Sequence, residues 1–174
     1  MGYGWIFLGR QTVNIIILDI DNCVSGDGDR IRFIRKGETD PDKKYHDYHS
    51  LALMDKPGNA QLFRRHLWSE ELRSKSPIIV FSTARPEAWR TMTKAWLGMH
   101  KIEYNRLYMR PEGMHESAVY VKRHLLKQIL TDFRVSCKEI VAAYDDRQDI
   151  IAMYKEAGIK NAQVKFIHTN HIEQ

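Results

Sequence analysis

Five short apolar runs rich in β-branched residues punctuate the chain. They are Val13 to Leu18, Ile78 to Phe81, Arg106 to Met109, Ile140 to Tyr144 and Gln163 to Ile167. Runs of this length and composition predict strands buried on both faces. Between them the apolar positions recur at helical spacing. A first helix is predicted from Asn59 to Arg73, with Leu62, Phe63, His66 and Leu67 on one face and Pro57-Gly58 marking its start. A second is predicted from Pro86 to Leu97, with Pro86 in the first turn, where a missing N–H is harmless. A third spans Ser117 to Phe133, and a fourth spans Arg147 to Ala157, with Gly158 as its terminating residue. Strands alternating with helices predict an α/β fold, a Rossmann-like three-layer sandwich around a mainly parallel five-stranded sheet.

One segment breaks the alternation. Residues 24–56, after the first strand, are polar and rich in His, Asp and Lys. A stretch of that length between a strand and its helix predicts a small cap or lid inserted into a single domain spanning 1–174. Within it, Asp27-Gly28-Asp29 is a turn signal and Ile31 to Ile34 reads as a short strand.

The composition alters this picture little. Apolar residues make up 43% and charged residues 28%, a globular balance. Cys23 and Cys137 form no metal or disulfide framework, and no secretory signal is visible, so a reducing, cytoplasmic setting is expected. The run Trp5-Ile6-Phe7-Leu8 is too short to span a membrane. A net charge of +5 and a pI of about 9.2 suit either plain solubility or an anionic substrate. No phosphate-cradling Gly-x-x-x-x-Gly-Lys-Ser/Thr loop is present, so a fused kinase activity is not expected and any kinase or ligase partner is a separate chain.

Candidate chemistry collects at the strand ends. Asp19 and Asp21 follow the first strand, Ser82 and Thr83 the second, Arg110 the third, and Asp145 and Asp146 the fourth. In parallel sheets ligands bind beyond the carboxyl ends of the strands, so one edge gathers all of these groups. Two carboxylates one residue apart repel unless a cation lies between them, and a second carboxylate pair at the same edge completes a site for a hard cation such as magnesium. Each aspartate pair also suits helix capping. Thr83, at a strand end before a helix start, suits a phosphate oxygen or a cap. A helical lysine such as Lys122 ordinarily lies on a solvated face.

The ordered set Asp19-x-Asp21, Thr83, Lys122 and Asp145-Asp146 resembles the motifs of the haloacid dehalogenase-like (HAD) hydrolases. The stretches Leu107 to Gly113, Val121 to Leu126 and Tyr144 to Tyr154 narrow the likeness. They resemble the phosphatase domain of phage polynucleotide kinase–phosphatases and its stand-alone relatives in bacteria and phages. The likeness implies an Mg2+-dependent phosphomonoesterase. Asp19 would be the nucleophile, forming an aspartyl-phosphate, and Asp21 the acid/base. Asp19, the main-chain carbonyl of Asp21, and Asp145 or Asp146 would bind the metal. Lys122, Thr83, Arg30 and Arg85, with Arg110 on the substrate side, would neutralise the phosphoryl group. The sequence departs from the pattern at Asn22-Cys23, where Gly-Thr is usual, at Ala84, where glycine is common, and at Ala118, where an aspartate would orient Lys122 or a substrate-side group.

A small insert leaves the site open to a bulky ester, so a polynucleotide 3′-phosphate is the leading expectation. A 5′- or 3′-mononucleotide phosphatase is the second, and a non-catalytic nucleic-acid-end or protein-binding module the third. Tyr45, His46, Tyr48 and His49 suit either base stacking or lid packing. Trp89 and Trp96, seven residues apart, are expected in the core or an interface.

Overall fold

The computed structural model describes residues 13–26, 30–58 and 76–164. The helix predicted from Asn59 to Arg73, the Asp27-Gly28-Asp29 turn and the end of the fifth predicted strand lie outside these residues.

The strands are β1 (Ile15–Leu18), β2 (Ile78–Pro86), β3 (Arg106–Arg110), β4 (Ile140–Asp145) and β5 (Ala162–Val164). They form one parallel sheet in the order β3-β2-β1-β4-β5, so β1 lies at the centre. The α/β architecture expected from the alternation is what the chain adopts.

The period-two geometry of β1 divides the core. Ile15 and Ile17 pack on one face with Val121, Leu125 and Ile129 of helix α3 (Ala118–Phe133) and with Ile150 and Met153 of helix α4 (Gln148–Glu156). Ile16 and Leu18 pack on the other face with Trp96 and Leu97 of helix α2 (Arg90–Met99). All four β1 residues are at most 1% exposed. Both faces are covered, so the strand reads as a continuous apolar run rather than an alternating one. Full burial of each such side chain stabilises by about 1.5–3 kcal/mol.

Helix α2 begins later than its sequence suggests. Pro86 is extended (φ −61°, ψ 150°), and a 3-10 turn over Glu87–Trp89 intervenes before Arg90. Strand β2 runs on to Pro86, with a register break between Thr83 and Pro86 against β3. Proline's bias keeps Arg85 extended, in line with the strand, and Pro86 itself keeps an extended ψ, so winding starts only after it. The helix N-terminus is therefore displaced from Thr83.

The expected strand over Ile31 to Ile34 is not formed. Arg30–Phe33 make a 3-10 turn that buries Arg30 and leaves Ile31 66% exposed. Ion pairs of Arg30 pull the backbone inward, and Ile31 has no sheet face to join. The insert contains instead a helix, α1 (Pro41–Ser50). Asp40 caps it by accepting from the Asp42 and Lys43 amides, and Pro41 occupies the first turn. The Asp-Pro start signal was present in the sequence; few apolar positions accompany it. The two ends of the insert meet, since the Gly26 amide donates to the Lys56 carbonyl at 3.1 Å.

Replacement of Ile17 by Ala in this central strand should lower unfolding free energy by about 2–5 kcal/mol in a urea titration, with no change in slope.

Candidate active site

Helix α3 buries Val121, Leu125 and Ile129 along one stripe, and Lys122 falls beside them in register with Leu126. The lysine is thus carried into the interior, where only 3% of its side chain is exposed. That spacing is the signal that could have set it apart from a solvated lysine.

Once inside, the Lys122 ammonium spends all three protons. It donates to Asp19 Oδ1 at 2.6 Å, to Asp145 Oδ2 at 2.8 Å and to the Ser82 carbonyl at 2.5 Å. Asp145 and Asp19 hold its charge on against burial, which opposes it. The lysine is fully oriented by these three acceptors, so Ala118 leaves it no unmet need.

Asp19 sits at the end of β1, buried. Burial first, and then repulsion from Asp145 and Asp21, push its carboxyl well above the ordinary range against the pull of Lys122. Asp146 is raised by burial and by Asp145. Oxygens of Asp19, Asp145 and Asp146 lie within 4.8 Å of one another. Three carboxylates face one ammonium there, an excess of negative charge that a divalent, oxygen-seeking cation matches. Asp145 also accepts from the Arg147 amide at 3.1 Å, which fixes the turn leading into α4 without capping the helix itself.

Asp21 points the other way. Arg85 reaches it with Nε at 2.9 Å and Nη2 at 2.6 Å, and Arg30 Nη2 reaches it at 2.7 Å. Although burial works against ionisation, Arg85 and then Arg30 keep its carboxyl far below the usual range. Arg85 is itself almost wholly buried, and its Nη1 has no hydrogen-bond partner among the described residues.

A residue unmarked in the sequence closes this network. Asp55, at the end of the insert, accepts from Arg30 Nε at 2.5 Å and Nη2 at 2.6 Å, and from Arg85 Nη2 at 3.3 Å. Two carboxylates and two guanidiniums balance, in contrast to the Asp19 side. Arg30 is further held by the Tyr48 carbonyl and lies 4.3 Å from the Tyr48 ring. No spacing rule could have marked Asp55, because its partners lie 25 and 30 residues away.

Thr83 is buried, and its hydroxyl accepts from the Arg85 amide at 3.2 Å. Cys23 is buried, and its thiol is pushed up by burial first and then by Asp19, so it is a packed group rather than a thiolate nucleophile. Arg110 lies apart, on a cleft lined by Tyr45, His46, His49 and Trp89. Trp96 is in the core, donating from Nε1 to the Asp55 carbonyl at 2.9 Å. Trp89 is not in the core: it sits in the 3-10 turn ahead of α2, off the helical spacing, and forms a cleft wall.

Solved structures share this fold. A chain of the Pnkp1/Rnl/Hen1 RNA repair complex aligns with a TM-score of 0.64 at 16% identity, covering 90% of this chain and 43% of that one. A candidate phosphatase from Clostridium difficile aligns with a TM-score of 0.60 at 14% identity, over 87% of this chain and 85% of the other. A predicted HAD-like family hydrolase from Porphyromonas gingivalis gives 0.54 at 11% identity, over 92% and 95%. These define the fold as that of the HAD-like hydrolases. The chain belongs, more narrowly, to the family of the polynucleotide kinase PNKP phosphatase domain, whose family model matches residues 13–167. A search of curated proteins returned no match.

Two outcomes test the charge pattern. Asp55→Asn leaves two buried guanidiniums with one carboxylate and should cost about 3–5 kcal/mol in denaturant unfolding. His49, beside this network, is held at about 4 by burial first, with Arg85, Arg110 and Arg30 adding to that and Asp21 opposing. Its folded value lies below its unfolded one, so stability falls as pH drops from about 6.5 towards 4. In thermal melts across that window, His49→Gln should lose less stability than the parent.

Proposed function

We propose that this phosphatase domain is a magnesium-dependent phosphomonoesterase that removes a 3′-phosphate from a polynucleotide end. The observation that carries the reading is the buried cluster of Asp19, Lys122, Asp145 and Asp146, with its uncompensated negative charge, beside the arginine-held Asp21.

Asp19 attacks phosphorus and becomes an aspartyl-phosphate, which water then hydrolyses. Lys122 holds the attacking carboxylate in place and offsets charge on the phosphoryl oxygens. Thr83 donates its hydroxyl to one of those oxygens. Asp21 protonates the departing alkoxide and afterwards takes a proton from the attacking water. Without substrate it stands as a carboxylate between two guanidiniums, the form the second step needs. A phosphoryl group that draws Arg30 and Arg85 toward itself favours the protonated form the first step needs. Asp19, Asp145 and Asp146, with the main-chain carbonyl of Asp21, would hold the ion. When bound there, magnesium would supply positive charge against the transferring phosphoryl group.

The nucleic-acid substrate is supported by the family match and by the aromatic cleft that flanks the site. The Pnkp1 neighbour's place in an RNA repair complex supports a separate kinase or ligase chain as partner. No helix among the described residues is long and apolar enough to cross a membrane, and both cysteines are free thiols, which favours a cytoplasmic setting.

The test is phosphate release from 3′- and 5′-phosphorylated oligonucleotides and from mononucleotides. Release should require Mg2+, cease with a chelator, and fall on the order of 10³-fold or more in Asp19→Asn. Equal release by Asp19→Asn and the parent would sink the catalytic reading. Release from mononucleotides alone would replace the polynucleotide substrate with a nucleotide.

A further inference from the structure

The cleft beside the Asp21 side has a volume of about 430 Å³, within the range of small-ligand sites. Helix α1 supplies Tyr45, His46 and His49, the turn after β2 supplies Trp89, and the end of β3 supplies Arg110. Its wall is a set of rings locked to one another. His46 meets Trp89 edge-on at 5.3 Å, and His49 lies tilted to Trp89 at 6.2 Å. Tyr45 meets Tyr48 edge-on at 6.5 Å. An indole held in this way offers a flat face to any base, whatever its identity.

Two polar atoms in this wall are orphaned. Arg110 Nε and His49 Nδ1 are buried, and neither has a hydrogen-bond partner among the described residues. His49 is 8% exposed. Buried polar atoms are ordinarily satisfied, so these two mark a place where a ligand supplies the missing partners. Burial bears most on the Arg110 guanidinium, opposed by Tyr45 and Asp42, which line the cleft, and by Glu116. Asp42 is also drawn to His115, at 3.9 Å. Arg85 and Arg30, by contrast, are both committed to Asp21 and Asp55. Arg110 is therefore a cation on the cleft wall with no ion-pair partner within 4 Å among the described residues. Helix α1 joins the two places: its Tyr48 carbonyl accepts from Arg30, which holds Asp21, while its Tyr45 and His49 line the cleft together with Pro86, next to Arg85.

We propose that this cleft seats the terminal nucleoside of the strand, with Trp89 as its stacking surface and Arg110 as the anchor for the phosphodiester on that nucleoside's 5′ side. The assignment rests on the 3′-phosphatase reading and sharpens it. The enzyme reads two phosphates, one to remove and one to hold, and the minimal good substrate is a dinucleotide carrying a 3′-phosphate. A guanidinium suits the second task because its planar fork matches a phosphodiester's two free oxygens.

Binding separates this proposal from the catalytic one. The affinities of thymidine 3′-monophosphate and of the 3′-phosphorylated thymidine dinucleotide, in deoxy and ribo forms, are measured by quenching of tryptophan fluorescence. Asp19→Asn protein is used, with the unaltered chain in chelator as a second preparation. The dinucleotide should bind at least tenfold tighter than the mononucleotide. That preference should shrink to threefold or less in Arg110→Ala, recover in part in Arg110→Lys, and weaken with added salt. Trp89→Leu should weaken both ligands. Equal affinity for the two ligands, or a preference that survives Arg110→Ala, overturns the proposal, whatever turnover shows. Tight, Arg110-dependent binding without phosphate release would uphold it while removing the phosphatase reading.

Discussion

The buried ammonium of Lys122 is the interaction on which the site depends. It joins the ends of three adjacent strands, β1 through Asp19, β2 through the Ser82 carbonyl and β4 through Asp145, and it arrives on a helix from outside the sheet. A charge there is tolerable only because every proton has an acceptor and two of the acceptors are carboxyl groups. The reverse also holds, since the ammonium opposes the upward push that burial and Asp145 exert on Asp19. The sheet edge, the helix and the carboxylate cluster thus stand or fall together.

Around that point the edge divides into two electrostatic halves. Asp19, Asp145 and Asp146 outnumber their cation, while Asp21 and Asp55 are matched by Arg30 and Arg85. Two aspartates with one residue between them nevertheless occupy opposite environments, because β1 ends at Leu18 and Asp21 already lies beyond the extended strand, whose period of two would have put both on one side. The division is in place before any ligand arrives, and it suits the two roles proposed for Asp19 and Asp21.

The sheet was legible because its strands are short apolar runs covered on both faces, and the edge was legible because strand order places their polar ends together. Lys122 was marked only by its place in the motif set, since a lysine in a helix is by itself read as solvated. What stayed hidden depended on contacts distant in sequence. Asp55 has no local pattern, and Arg30 and Arg85 could be assigned to the site but not to Asp21. The insert misled for a different reason: the tertiary pull on Arg30 outweighed the strand propensity of Ile31 to Ile34, and helix α1 rests on its capping residues rather than on an apolar stripe. Of the two tryptophans expected in the core or an interface, Trp96 is in the core, while Trp89 precedes the helix, which begins at Arg90, and lines the cleft.

The insert enters and leaves the domain at one point, where Gly26 and Lys56 meet, and it carries its own clasp in Arg30 and Asp55. Closing a loop costs only about 0.6 kcal/mol more for each doubling of its length. A segment gathered at its base in this way is a cartridge. Its contents can lengthen, shorten or change character without disturbing the sheet, provided the clasp is kept. New specificity can thus arise by exchanging what lies between the two ends, while the chemistry beneath is inherited unchanged.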